Sequence, residues 1–190
     1  DRTLGWMMVH AGLAPKWTTQ LAEKLAREIQ ARLRGDGRRA LLRNMYGDGP
    51  DWSPNLHGPE RSRAIINVCT RMRYCSPRGR IAHDQKGAPG SQPPGLYPWF
   101  SVPGHAERDL KVACGHWSTL GLFIGQGVHA LDTGAVWGGR LTALQLDADG
   151  VNVVQVPGRD VPAPTPKTRP AKKARGNRRP DGRQRPPRDQ

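Results

Sequence analysis

Leu4-Gly5-Trp6-Met7-Met8-Val9-His10-Ala11-Gly12 is the stretch on which the fold turns. An apolar run of this kind, closed by a histidine and then by Ala-Gly, reads as a buried strand whose carboxyl end opens into a loop. The run starts directly after Asp1-Arg2-Thr3, with no methionine and no basic-then-apolar leader ahead of it, so it reads as an entry in mid-domain. A segment of the same shape follows much later, where Val112-Ala113-Cys114 runs into Gly115-His116. A histidine at a strand's carboxyl edge beside glycine projects into a cleft that backbone and metal can both approach. Either histidine alone is a weak signal.

Between the two segments the pattern is helical. Residues 17–34 place Leu21, Leu25, Ile29 and Leu33 at spacings of four, with Glu23–Arg27 and Glu28–Arg32 as supporting pairs and Gly35 as the stop. A second helix is expected over 38–45 and a third from Pro59 to about Cys75, with Ile65, Val68, Cys69 and Met72 inward. Residues 85–98 are rich in Gly and Pro and read as a surface excursion without regular structure. Beyond them strands are expected at 112–114, 128–131, 141–146 and 151–156, with Asp149-Gly150 turning the last two into a hairpin. The body is therefore mixed α/β.

The chain has 190 residues, enough for one domain with a core, and a net charge of +14. Residues 161–190 carry ten Lys/Arg against Asp181 and Asp189, so more than half of that charge is local. This Pro-, Lys- and Arg-rich stretch has almost nothing apolar to bury and reads as a disordered basic tail, so the domain division is 1–156 and 157–190. Such a tail is a solvated extension or a weak contact for RNA or another polyanion. Nothing in the sequence is long and apolar enough to cross a bilayer, which argues against a membrane partner. Cys69, Cys75 and Cys114 form no C-x-x-C and are odd in number, so reduced thiols and a cytoplasmic location are expected. Oligomeric state is not legible.

The chain resembles the symmetrical bis(5'-nucleosyl)-tetraphosphatases, a branch of the calcineurin-like metallophosphatases. The resemblance rests on Met8-Val9-His10-Ala11-Gly12, Ala14-Pro15-Lys16-Trp17, Met45-Tyr46-Gly47-Asp48, Trp52-Ser53-Pro54 and Asn67-Val68-Cys69-Thr70-Arg71-Met72-Arg73-Tyr74-Cys75. It continues through Pro98-Trp99-Phe100, Gly115-His116-Trp117 and Ala130-Leu131-Asp132-Thr133-Gly134 to Trp137-Gly138-Gly139. It implies the C-terminal portion of a metallophosphatase β-sandwich flanked by helices. It further implies a two-metal site, with manganese or cobalt, that hydrolyses the dinucleoside polyphosphate diadenosine tetraphosphate to two ADP. In that family the H-A-G and G-H-W histidines, here His10 and His116, ligate the second metal. A pair of divalent ions can activate a bridging water and clamp a phosphoryl oxygen together. The family's G-D-x-H-G, G-D-x-x-D-R-G and G-N-H-[ED] signatures, which carry the other ligands and the general acid, do not occur in this sequence. The chain by itself is therefore expected to be inactive. Nucleoside-tetraphosphate RNA caps present the same bond. Alternative functions are a protein phosphatase of the same superfamily and a non-enzymatic, polyanion-binding remnant.

Substrate contacts are sought among Arg61, Arg71, Arg73, Asp48 and Trp117. On a helical wheel Arg61 shares the face of Ile65, Val68 and Met72, while Arg71 and Arg73 flank it on opposite sides. Arg61 therefore needs a partner, a phosphate-lined cleft or an escape to solvent. Arg71 and Arg73 carry the family's T-R-M-R element, which implies a functional or architectural role. Asp48 orients a substrate or an Arg, or is ordinary Gly-Asp-Gly turn chemistry. Trp117 stacks on adenine or braces the site from below. Asp132 supports a ligand or pins a turn. Tyr46, Trp52, Trp99 and Trp137 read as core or rim, and His83, His105 and His129 as structural or exposed.

Overall fold

The computed structural model describes residues 1–147 and 150–160, so the expected tail over 161–190 lies outside the described residues. In chain order the elements are β1 (Trp6–Met8), α1 (Thr19–Arg34), α2 (Arg38–Asn44), α3 (Gly58–Arg71), β2 (Tyr74–Cys75) and β3 (Tyr97–Pro98). They continue with β4 (Lys111–Cys114), β5 (Phe123–Gly125), β6 (Val128–Ala130), a 3-10 turn (Ala135–Trp137), β7 (Arg140–Asp147) and β8 (Gly150–Pro157). The principal sheet has the order β1-β4-β6-β5, parallel except for β5. β7 and β8 form a separate antiparallel hairpin. The mixed α/β reading holds.

The register sorts the sheet's side chains into two faces. Val112, Cys114, Val128 and Ala130 join a core with Leu25, Ile65, Val68 and Met72 of the helical segments and with Trp17, Trp99, Phe100 and Trp117 from the loops. The opposite face carries the row Met8, Ala113, His129 and Ile124. Here the reading of β1 as buried needs correction: β1 is an edge strand, Trp6 is buried, and Met8 is 88% exposed. Apolar composition alone does not distinguish a strand packed on both faces from one packed on a single face.

Helix α1 begins where the Thr18 hydroxyl accepts the Leu21 N–H at 3.2 Å, and Gly35 closes it by donating to the Ala31 carbonyl at 3.0 Å. Leu25 and Ala22 are buried, whereas Leu33 is exposed. Helix α3 is shorter than expected. It ends at Arg71 because Met72 turns extended (φ −61°, ψ 131°), and Tyr74–Cys75 become β2, paired with Tyr97–Pro98 out of the Gly/Pro excursion. Arg73 is therefore not on the helix at all. The Asp147–Gly150 pair closes the last hairpin, so Gly150 belongs to a strand rather than to the turn. β8 runs to Pro157, and Gly158 and Arg159 donate to the carbonyls of Gly139 and Ala135 at 2.7 and 2.9 Å, which carries the ordered body past residue 156.

Cys69, Cys75 and Cys114 are free, and burial raises their thiols to about 11, 12 and 12. They stay protonated and inert. Among the described residues no helix is long and apolar enough to cross a membrane.

Candidate active site

Strands β1 and β4 are parallel neighbours with Met8 opposite Ala113, and their ladder continues beyond the strand ends. Val9 donates to the Ala113 carbonyl at 3.0 Å and Gly115 to the His10 carbonyl at 2.9 Å. His10 and His116 thus leave the sheet side by side at its carboxyl edge, where open parallel sheets place their ligands. His116 takes the left-handed conformation (φ 67°), which turns its ring toward His10.

The outcome is close convergence. His10 Nε2 lies 3.3 Å from His116 Nδ1, with ring centroids 5.0 Å apart and planes at 52°. That separation is slightly long for a hydrogen bond. It matches two ligands of one ion, because nitrogens about 2.1 Å from a tetrahedral metal lie roughly 3.4 Å apart. Burial, then the Arg73 guanidinium, then His10 push the His116 imidazole down to about 4, so it is neutral near pH 7, the form that binds metal. Its Nε2 is buried and makes no hydrogen bond among the described residues. The same residues contain no group of three or more His, Cys, Asp or Glu side chains able to hold a metal.

Two clefts meet at His116. One, of about 600 Å³, is lined by Met8, His10, His116, Leu131, Asp132 and Leu141. The other, of about 660 Å³, is lined by Arg73, Lys86, His116, Ser118, Asp132 and Trp137. Asp132 thereby reaches both, while its Oδ1 accepts the Gly134 N–H at 3.1 Å and pins the following turn.

Of the five substrate-contact candidates, Arg73 alone lines either cleft. Its backbone carbonyl accepts from Trp99 at 2.9 Å, and its guanidinium makes one long contact of 3.4 Å to the His116 carbonyl. Arg71 instead donates to Asp48 at 2.8 Å and also to Gly47 and Asn67 at 3.2 Å. The hydrogen bond from Arg71, then the charge of His83, holds the Asp48 carboxyl below its usual range. Asp48 therefore pairs with an Arg, one of the alternatives beside the ordinary turn. His83, read as structural or exposed, belongs to this network through a 3.0 Å contact with the Asp48 carbonyl.

Trp117 is 2% exposed and donates its indole N–H to the Gly87 carbonyl at 3.0 Å, so it braces the site and presents no free ring face. Arg61 does not line either cleft. Its Nε lies 3.0 Å from both carboxylate oxygens of Glu28, Nη1 reaches the Pro54 and Leu56 carbonyls, and the guanidinium sits 4.9 Å from the Trp52 ring centre. The partner that its apolar face requires comes from α1. Arg61→Ala is expected to lower the unfolding free energy by about 2 kcal/mol, since it removes charge-assisted bonds in a half-buried place. Denaturant titration of Arg61→Ala, Glu28→Gln and the double variant checks this; fully additive losses would mean that the pair is not coupled.

The sequence reading did not pick out Lys86, and it left Trp137 between core and rim, of which the rim is the outcome. The flanking glycines were the available signal, because Gly134 and Gly138 both take left-handed angles (φ 73° and 86°) that hold the intervening turn at the surface.

No protein-family model matches the chain. Over 169 residues, 89% of its length, the chain is 72% identical to the symmetrical bis(5'-nucleosyl)-tetraphosphatase of Xanthomonas euvesicatoria pv. vesicatoria (strain 85-10), covering 53% of that protein. The chain is a homologue of part of this enzyme. It is likewise 74% identical over 164 residues to the symmetrical bis(5'-nucleosyl)-tetraphosphatase of Xanthomonas campestris pv. campestris, with 86% of the chain and 51% of that protein covered. The corresponding protein of Xylella fastidiosa (strain M23) is 65% identical over 175 residues, which is 92% of the chain and 59% of that protein. The chain spans about half the length of the tetraphosphatase relatives it matches.

Proposed function

We propose that this chain is the C-terminal portion of a two-metal hydrolase that splits diadenosine tetraphosphate into two ADP. The observation that supports this most directly is the approach of His10 Nε2 and His116 Nδ1 to 3.3 Å at the carboxyl ends of parallel strands, in a chain 72% identical to a tetraphosphatase.

The two imidazoles fit one divalent ion of the borderline class, manganese or cobalt, as neutral ligands. Such an ion supplies an activated water and charge neutralisation at phosphorus. The chain's own residues do the remainder. His10 and His116 fix the position of that ion, and the His116 Nε2 proton waits for an acceptor from the rest of the longer polypeptide. Arg73 adds positive charge beside His116 for a polyphosphate, and Arg71 with Asp48 and His83 stiffens the approach. Asp132, which lines both clefts, would serve such an ion as an outer partner. Met8 and Ile124, exposed at the two edges of the face opposite the core, suit burial under the remaining half of the enzyme. Carboxylate ligands and the general acid belong to that half.

The test is complementation. The 190-residue chain with Mn(II) is expected to release no ADP from diadenosine tetraphosphate. Joined to the portion of the Xanthomonas euvesicatoria enzyme that the match does not cover, it is expected to release two ADP per substrate. A folded chimera that leaves the dinucleotide intact, or that prefers a phosphopeptide, would refute the reading.

A further inference from the structure

The cleft of about 660 Å³ on the far side of His116 has the size of a small-ligand site and an unusual lining. At its rim stands Trp137, 77% exposed, a large flat indole that the fold holds out toward water. Its backbone is not loose. Trp137 donates to the Gly134 carbonyl at 2.8 Å, Gly139 donates to the same oxygen at 2.9 Å, and Gly158 and Arg159 tie the turn to the end of β8. Cβ atoms at Gly139 or Gly158 would strike neighbouring backbone, which leaves this arrangement little room to shift. An exposed ring on a fixed backbone binds with little ordering cost.

The same cleft is lined by two cations, Arg73 and Lys86, beside the single carboxylate Asp132. Lys86 makes no ion pair or side-chain hydrogen bond among the described residues, and its loop is pinned by Thr119 Oγ1 on the Lys86 carbonyl at 2.6 Å and by Trp117 and Tyr74 on the Gly87 carbonyl. Arg73 is half-buried at the cleft wall with only its 3.4 Å contact to the His116 carbonyl, so most of its donors are unspent. Asp132 lines the same cleft, and the remaining guanidinium donors are suited to phosphate oxygens. The Ser118 hydroxyl lines the same wall.

We propose that this cleft is a nucleotide half-site, in which the Trp137 indole stacks on the base while the Arg73 guanidinium and the Lys86 ammonium hold the attached phosphates. The assignment rests on the hydrolase reading for its position beside the metal ligands, and it adds where one nucleoside and its phosphates lie. Stacking is tolerant of base identity, so the site recognises a purine nucleoside polyphosphate as a class and not one base by hydrogen-bond readout. It needs no metal to bind.

Titration of ADP into the 190-residue chain in EDTA, followed by calorimetry and tryptophan fluorescence, tests this directly. ADP is expected to bind and quench, and to bind more tightly than inorganic pyrophosphate. Trp137→Leu, a surface change that spares the core, should weaken ADP at least about fivefold, to the level of pyrophosphate, and leave pyrophosphate unaffected. Trp137→Tyr should restore most of the difference. Arg73→Gln with Lys86→Gln should weaken both ligands. Absence of ADP binding at millimolar concentration, or equal affinity in wild type and Trp137→Leu, overturns the half-site. Because no metal or turnover is involved, a chimera that hydrolyses the dinucleotide alongside a negative titration removes only the half-site. Binding without hydrolysis removes only the hydrolase reading.

Discussion

His116→Asn and His10→Ala, made in a polypeptide of the relatives' full length, are each expected to remove one of two bound manganese ions and to slow dinucleotide hydrolysis at least about a hundredfold. The choice of Asn at 116 is physical. His116 sits at φ 67°, where Asn is tolerated and most other residues are strained, so the variant removes the imidazole without charging a backbone penalty to the result. Since both nitrogens, 3.3 Å apart, are assigned to the same ion, the double variant should be no slower than the worse single one. Metal content by mass spectrometry of the native protein and steady-state ADP release give the two readouts. Two ions per chain in both variants, with turnover within about threefold of the parent, would reduce the pair to a hydrogen-bond contact.

The two histidines stood out in the sequence because each closes an apolar run with a glycine one or two positions away, a local feature, and because the family resemblance joined them. Their meeting is not local. It depends on β1 and β4 being parallel neighbours with Met8 opposite Ala113, a pairing across more than half the described chain. The arginines show the same limit from another direction. The periodicity that put Ile65 and Val68 inward also put Met72 inward, and Met72 is indeed fully buried, but as an extended residue beyond the helix end. An inward side chain therefore helped to carry the expected helix about four residues past Arg71 and misplaced Arg73. Arg61 lay on the expected face, yet its partner Glu28 belongs to another helix, and a pattern read along one segment cannot name it. Trp117 and Trp137 have the same chemistry and opposite fates, since one is enclosed by Tyr74 and Phe100 while the other rides a glycine-bounded turn.

Trp99→Ala is expected to cost about 3–5 kcal/mol of unfolding free energy and to loosen the metal-side loop as well. Trp99 is 1% exposed, meets Phe100 edge to face at 5.5 Å, and lies 5.4 Å below the Arg108 guanidinium. It also touches both halves of the candidate site. Its N–H holds the Arg73 carbonyl, and its ring packs so closely on Gly12 that a Cβ there would stand 2.7 Å from the indole nitrogen. The close packing of the Trp99 ring accounts for a glycine after His10-Ala11. Gly12→Ala should consequently cost about 1–3 kcal/mol in the parent chain, where the methyl overpacks the ring. In the Trp99→Ala background the same methyl enters the vacated space, and its cost should fall close to zero. Denaturant titration of the four proteins gives the coupling directly, and additive losses would show that something other than the indole excludes a side chain at position 12. In the full-length enzyme Trp99→Phe, which keeps a ring and leaves Gly12 room, should hold His10 in place and retain both ions, whereas Trp99→Ala should bind the ion assigned to His10 and His116 more weakly at temperatures where it is still folded.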